Sequence, residues 1–136
     1  MYKYCANLYK YERYQSRTVC IGDIPIGSDH PIRIQSMTTT NTLDIKATVE
    51  QSIKIIEAGS DYVRITAPSI NEAKALNEIK KDLHRRGYKN PLIADIHFTP
   101  NAALEAAKIV EKVRINPGNY ADKKKFLSFE YTDAEY

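Results

Sequence analysis

The chain has 136 residues, of which 43% are hydrophobic and 27% are charged. This balance is typical of one globular domain, and it excludes a disordered chain and a membrane-spanning chain. The net charge of +3 comes from 20 basic and 17 acidic residues, mostly interspersed at helical spacing, so it indicates solvated helix faces and no nucleic-acid groove.

The N-terminal segment, residues 1–17, is aromatic and charged and has no clear period. We interpret it as a loosely held leader that precedes a domain at residues 18–136. The two cysteines, Cys5 and Cys20, lie in no metal-ligand spacing, and the N-terminus has no secretory apolar segment. Together these features predict a reducing, cytoplasmic location.

Strands and helices alternate along the rest of the chain. The pattern at residues 18–26 predicts a small hairpin, with Gly22 and Asp23 in its turn, that could cap the floor of a larger sheet. The predicted strands that follow are residues 32–37, 62–66, 92–97 and 113–116, and the predicted helices are residues 44–58, 69–86 and 99–110.

Each predicted helix has a start signal or an apolar stripe. Ser69 and Glu72 form a capping-box sequence, and Thr99 places a hydroxyl cap before Pro100 at the first helical position. The apolar stripes, in chain order, are Ile45, Val49, Ile53 and Ile56; Ala73, Leu76, Ile79 and Leu83; and Ala103, Leu104, Ala107 and Val110.

Four strand-helix units predict an α/β fold with a parallel sheet whose ligands bind at the carboxyl ends of the strands. An eight-unit TIM (β/α)8 barrel needs about 250 residues, so we expect the N-terminal half of such a barrel, truncated at Tyr136. An open flavodoxin-like sheet is the competing hypothesis. The inward-facing residues suit a barrel mouth better; these are Gln35, Met37, Arg64, Asp95, His97, Arg114 and Asn116.

Half of a barrel would leave its first and fourth strands as unpaired edges and would expose apolar interior. Such surfaces favour pairing with another chain. We therefore expect a homo-oligomer, a dimer or larger.

The polar residues at the strand ends are the candidate site. Arg64 and Arg114 suit phosphate or diphosphate, because a guanidinium is always charged and offers paired donors, and Asn116 could add an amide contact. Asp95 and His97 are two residues apart, so they could share a ligand or carry a proton. An internal salt bridge from Asp95 to an arginine, with His97 as a core histidine, has nearly equal weight.

Two further features of the sequence allow a structural interpretation. The loop at residues 117–119 could present amides to an anion, but its Pro-Gly-Asn sequence ends a strand in any fold. The remaining histidines and several lysines are assigned to loops and solvated helix faces; these are His30, His84, Lys46, Lys54, Lys80 and Lys81.

Five blocks of residues, in order and spacing, resemble the family of 4-hydroxy-3-methylbut-2-enyl diphosphate synthases. They are Gln35-Ser-Met-Thr38, Ala47-Thr-Val49, Val63-Arg-Ile65, Ala94-Asp-Ile-His-Phe98 and Arg114-Ile-Asn-Pro-Gly-Asn119. The resemblance covers residues 18–122, and five blocks in register are far more specific than any one of them. The sequence after Phe98, and the Glu-Tyr-Thr-Asp sequence at residues 130–133, look like the longer form of that family.

The resemblance implies a reductive enzyme of non-mevalonate isoprenoid biosynthesis. It implies conversion of 2-C-methyl-D-erythritol 2,4-cyclodiphosphate to the butenyl diphosphate with electrons from flavodoxin or ferredoxin. It assigns Arg64 and Arg114 to the diphosphate and Asp95, His97 and Asn116 to other substrate contacts. The family's [4Fe-4S] ligands would lie outside this chain, so we expect no catalytic and no metal-binding residue here, and a colourless, inactive fragment.

Two other functions fit the same pattern. A pterin-binding barrel such as dihydropteroate synthase also uses inward Asp, Asn and Arg at strand ends, and a downstream cysteine cluster would distinguish the two enzymes. A non-catalytic half-barrel could instead bind a partner protein through its sheet edge, in which case a stop codon would follow Tyr136.

Overall fold

The computed structural model describes residues 7, 9–10, 14–118 and 120. Within them the strands are β1 (Val19–Ile21), β2 (Ile24–Ile26), β3 (Gln35–Met37), β4 (Tyr62–Thr66), β5 (Leu92–Asp95) and β6 (Lys112–Arg114). The helices are α1 (Ile45–Glu57), α2 (Ile70–Arg85) and α3 (Pro100–Ala106). Most of the predicted leader, including Cys5, lies outside the described residues, as does the tail at 121–136.

The larger sheet has four parallel strands in the order β3-β4-β5-β6. A flavodoxin-like sheet would have its second strand at the edge, beside the first, and would continue on the other side of the first. The sequential order found here is the order of consecutive strands in a β/α barrel. The flavodoxin-like alternative is therefore wrong, and the predicted succession of βα units is confirmed.

The two faces of this sheet differ because side chains alternate along each strand. One face packs against the three helices and carries the main apolar core, which includes Val63, Ile65, Leu76, Leu92 and Ile96. On the other face a small second cluster joins Tyr62 and Ile93 to Ile21 of the antiparallel β1–β2 hairpin. The hairpin thus covers the lower part of the inner face, as the sequence predicted.

The first two helices form where the sequence predicts them, and each begins at a capped residue. The Asp44 carboxylate accepts a hydrogen bond from Ala47 N at 3.0 Å, and α1 begins directly after it. Ser69 Oγ accepts a hydrogen bond from Asn71 N at 3.2 Å and donates one to the Glu72 carboxylate, so both residues of the predicted capping sequence act at the start of α2. All four predicted apolar residues of α2 are buried.

The third helix is shorter than predicted and presents a different face. Leu104 is 63% exposed and Ala107 is exposed, whereas Ala102 and Ala106 are buried with Ala103. Because the three buried alanines are small, this seven-residue helix packs close to its neighbours through that face. Leu104 lies on another side of the helix and therefore faces outward. The Thr99 hydroxyl makes no cap, because it donates to Pro68 O at 3.0 Å.

Three predicted strand boundaries are also corrected. β3 begins at Gln35 because residues 32–34 are held by a loop: Ile34 N donates to the Asp61 carboxylate at 2.7 Å, and Ile34 O accepts from Asp61 N. β5 ends at Asp95, two residues early, and β6 runs from Lys112 to Arg114. Within the described part of the chain, no helix is long and apolar enough to cross a membrane.

A partly buried ion pair joins α2 to the start of two strands. Lys80, predicted to lie on a solvated face, instead contacts Glu111 at 2.6 Å and donates to Ile109 O. The second oxygen of Glu111 accepts from Leu92 N at 2.9 Å. Burial by itself raises the pKa of Glu111, but the hydrogen bonds from Lys80 and Leu92 N outweigh it and lower the pKa below its ordinary value of 4.5.

Glu111→Gln is expected to destabilise the chain at neutral pH and to matter less in acid. Because the folded-state pKa is lowered, the carboxylate stabilises the fold fully above about pH 4.5, and this contribution is lost as the pH falls through the folded-state pKa. Urea unfolding should show a loss of about 1 kcal/mol at pH 7 that shrinks at pH 3. Glu78→Gln, in an exposed pair with Lys81, is the control, and an equal loss at both pH values would contradict the prediction.

Candidate anion-binding site

The inner face of the sheet is organised in rows that follow from the strand register. The Cα partners Thr66, Asp95 and Arg114 form the row nearest the carboxyl ends of the strands. The row beneath it contains Met37, Arg64, Ile93 and Lys112. Arg64, Asp95 and Arg114, which strand alternation predicted as candidates, therefore lie on one face near one edge.

Asp95 is the centre of the site. Its Oδ2 lies 2.6 Å from Nη2 of Arg64, and its Oδ1 lies 3.1 Å from Nη1 of Arg114. The residue is only 1% exposed, so both carboxylate oxygens are withdrawn from water and occupied by guanidinium groups. The salt bridge that the sequence offered as a structural alternative is present, and it involves both arginines at once.

The two guanidinium groups and one carboxylate leave a net charge of one positive unit. The side chains of Arg64 and Arg114 remain 26% and 38% exposed, so part of each side chain is accessible to solvent and to a ligand. A guanidinium has five N–H donors, and the hydrogen bonds to Asp95 use one from each arginine. The pairing with Asp95 fixes the arginines without exhausting their capacity to bind an anion.

His97 lies two residues past the end of β5, and so outside the strand in which it was predicted. Its Nε2 is 3.9 Å from Oδ2 of Asp95, and its side chain is 39% exposed, which is too open for a core histidine. Its ring centroid lies 5.9 Å from that of Phe98. The residue stands at the rim of the Asp95 cluster, within reach of a ligand there.

Asn116 lies two residues past the end of β6, in the loop that follows the strand. Its side-chain oxygen accepts a hydrogen bond from Gly118 N at 3.2 Å, which is the local turn chemistry that the sequence allowed. The predicted anion loop is only partly described, because Asn119 lies outside the described residues.

The loop between β3 and α1 is held by hydrogen bonds to α1 and to the end of β4. Gln51 of α1 accepts hydrogen bonds from Thr39 N and Thr40 N at 2.9 and 3.1 Å and donates to the Thr39 hydroxyl. The Thr42 hydroxyl donates to Thr66 O, in the row of Asp95, at 2.6 Å. Sequence analysis missed this network, because nothing in a Thr-rich loop indicates which helix residue will receive its amides.

Sequence analysis also missed Lys112. Val113 packs with the helix-side core and Arg114 reaches Asp95, so alternation places Lys112 on the inner face with Arg114. The predicted strand started one residue later, at Val113, and so left Lys112 in the preceding turn. A strand extended by one residue towards the N-terminus would have included it.

The described residues offer no metal-ion site. No group of three or more His, Cys, Asp or Glu side chains in the described ranges could hold a metal ion. Cys20 is a free, exposed thiol in the hairpin, away from the Asp95 cluster. These residues do not fit an iron-sulfur cluster, which needs several thiolates converging on one point.

Comparison with known proteins finds a matching family and similar proteins that share one enzyme name. The family described as the GcpE TIM-barrel domain matches residues 16–131. A relative from Parabacteroides distasonis, 4-hydroxy-3-methylbut-2-en-1-yl diphosphate synthase (flavodoxin), is 56% identical over 129 residues. The alignment covers 94% of this chain and 21% of that relative.

Plant proteins are similar over the same stretch. The chloroplastic 4-hydroxy-3-methylbut-2-en-1-yl diphosphate synthase (ferredoxin) of Oryza sativa subsp. japonica is 49% identical over 135 residues, covering 98% of this chain and 18% of the relative. The corresponding protein of Arabidopsis thaliana is 48% identical over 135 residues, with the same shares. The chain spans about a fifth of the length of the curated relatives that it matches.

Proposed function

Because this chain belongs to the family of GcpE TIM-barrel domains, we propose that it forms the N-terminal half of the substrate-binding barrel of a longer oxidoreductase. In this proposal, the complete enzyme reduces 2-C-methyl-D-erythritol 2,4-cyclodiphosphate to 4-hydroxy-3-methylbut-2-enyl diphosphate in isoprenoid biosynthesis. The names of the relatives support this product, and the family match favours it over a pterin-binding barrel. In this proposal, residues 18–136 are the barrel part and residues 1–17 are a leader.

One observation carries the proposal: the buried Asp95 holds two arginines at the carboxyl edge of a parallel sheet with one positive charge in excess. That edge is where β/α folds bind ligands. A diphosphate needs several charge-assisted donors, and arginines fixed in advance lose little side-chain entropy when they bind it. Arg64 and Arg114 then bind and orient the diphosphate, while His97 and Asn116 contact the rest of the substrate from the rim.

The proposal locates the redox chemistry elsewhere. Because the described residues do not fit an iron-sulfur cluster, the [4Fe-4S] cluster that the family resemblance implies would take its ligands from other parts of the enzyme. The names of the relatives support flavodoxin or ferredoxin as the electron donor. A cytoplasmic location is also part of the proposal and rests on the use of cysteine in the sequence.

The direct test is an assay of the complete polypeptide, purified without oxygen and supplied with the cyclodiphosphate and a chemical reductant. We expect formation of the butenyl diphosphate, and we expect none from residues 1–136 alone. Turnover of a pterin substrate, or a natural stop codon directly after Tyr136, would refute the proposed function.

Self-association of the isolated chain is a separate prediction. The inner and edge residues of the first strand region are exposed, with Ile32 at 93%, Ile34 at 61% and Met37 at 42%. An open sheet edge with exposed apolar side chains favours pairing with a second copy. Light scattering at micromolar concentration should give a dimer or larger species, and a clean monomer would contradict this expectation.

A further inference from the structure

The net charge of the Asp95 cluster is smaller than the charge of the diphosphate that it would bind. A diphosphate carries at least two negative charges at neutral pH, whereas the cluster of Arg64, Asp95 and Arg114 supplies one positive unit in excess. Buried or partly buried charges are costly unless they are balanced by nearby opposite charges. A further cation on the inner face would therefore improve the match.

Lys112 is placed to be that cation. It is the Cα partner of Ile93, which packs on the inner face with Tyr62 and Ile21, and it lies two residues before Arg114 on the same strand. Two residues along a strand correspond to about 7 Å, so Lys112 lies one row beneath Arg114 on the same face.

Arg64 shows that a side chain in the row of Lys112 can reach Asp95. Arg64 occupies the same row as Lys112, on the other side of Ile93, and its guanidinium nevertheless contacts Asp95 in the row above. Two strand spacings separate the backbones of Arg64 and Lys112, or about 10 Å. The flexible four-carbon stem of lysine allows its ammonium group to follow the same path towards the open edge.

Lys112 has no ion-pair partner among the residues that the structure describes. It forms no ion pair with a carboxylate of residues 14–118, because Asp95 is occupied by the two arginines and the adjacent Glu111 pairs with Lys80. It is partly buried, which removes some of its water without supplying a counter-ion. A cation held in this way is poised to interact with an incoming anion.

We propose that Lys112 is a third phosphate-binding residue of this site, which joins Arg64 and Arg114 and restores the positive charge that Asp95 cancels. This inference rests on the proposed function, because it assigns a further residue to the same diphosphate. It predicts that the site has a net charge of two positive units before the anion binds.

The test is calorimetric binding of inorganic pyrophosphate to the complete polypeptide. Lys112→Met, which keeps the length of the side chain and removes its charge, should weaken binding about tenfold, as expected for the loss of one charge-assisted contact. Lys112→Arg should stay within about threefold of the parent protein, since it keeps the charge. Lys108→Met, which removes an exposed lysine paired with Glu105, should leave binding unchanged.

The outcomes separate the inference from the proposed function. If Arg114→Gln weakens pyrophosphate binding and Lys112→Met does not, the role of Lys112 is refuted and the diphosphate site stands. If the parent protein binds no pyrophosphate, or if neither variant changes binding, both are refuted. If Lys112→Met and Lys108→Met weakened pyrophosphate binding equally, the loss would reflect the net charge of the protein. That result would also overturn the role of Lys112.

A measurement on the parent protein covers the case in which Lys112→Met does not fold. An amine-acylating reagent, followed by mass spectrometry, should modify Lys112 more slowly when pyrophosphate is present and should modify Lys108 at the same rate with and without it. Equal modification of Lys112 in both conditions would overturn the inference.

Discussion

Asp95→Asn is expected to lower the free energy of unfolding by about 2–3 kcal/mol, which is a large fraction of the stability of a small domain. The carboxylate is 1% exposed and bonds to both Arg64 and Arg114. An asparagine supplies only one acceptor, and its amide donors would face a guanidinium that can only donate. The variant therefore leaves two like charges close together without their counter-ion.

The effect should stop short of the largest values seen for buried pairs, because the two guanidinium groups remain 26% and 38% exposed and water screens part of their repulsion. Urea unfolding at low and high salt measures this directly: added salt should recover part of the loss in the variant. The double variant Asp95→Asn/Arg114→Gln removes the repulsion and should be more stable than Asp95→Asn alone. Glu78→Gln is the exposed-pair control, and a loss in Asp95→Asn no larger than in that control would contradict the prediction.

The convergence of these three residues could be predicted in outline from the sequence. The alternation in residues 62–66 and 92–95 placed Arg64 and Asp95 on the face opposite Val63 and Ala94, and the structure confirms it. Neighbouring parallel strands then bring those faces to one edge. The local signals of α2 were equally decisive, since Ser69 marks its start.

The pairing itself could not be predicted, because it depends on strand register. Arg64 is the Cα partner of Ile93 and not of Asp95, so its contact with the carboxylate is diagonal. A sequence gives the parity of a strand but not its offset against the next strand. For that reason a ligand-binding arginine and a salt-bridged arginine were equally consistent with the pattern, and in the structure the same side chains can serve both roles.

Short elements caused the remaining differences. β6 has three residues, and a shift of one position at its start decided whether Lys112 was counted with Arg114 or left in a turn. In α3, the bulk of Leu104 suggested a buried position, but close packing through small residues decided the orientation of the helix. His97 lies outside the strand, at the rim of the site, because β5 ends at Asp95.

Arg114→Gln in the complete enzyme is expected to raise the dissociation constant of the cyclodiphosphate substrate by roughly tenfold to a hundredfold. The turnover number at saturating substrate and the iron content should change little, because this residue binds and orients the diphosphate in the proposed function. Arg114→Lys should be intermediate, since it keeps the charge but lacks the paired planar donors. Arg86→Gln, at the exposed end of α2, removes the same charge far from the site and should bind normally.

The loss in Arg114→Gln has two components that the structure allows us to separate. The variant removes a guanidinium that can contact the diphosphate, and it also leaves Asp95 fully balanced by Arg64, so the cluster loses its excess positive charge. The double variant Asp95→Asn/Arg114→Gln restores one net positive charge without restoring the contact. Because fixed, paired donors matter more than net charge for a partly buried anion, we expect its affinity to stay low. Recovery to the parent affinity would show that net charge alone governs binding, and an unchanged dissociation constant in Arg114→Gln itself would remove this arginine from the site.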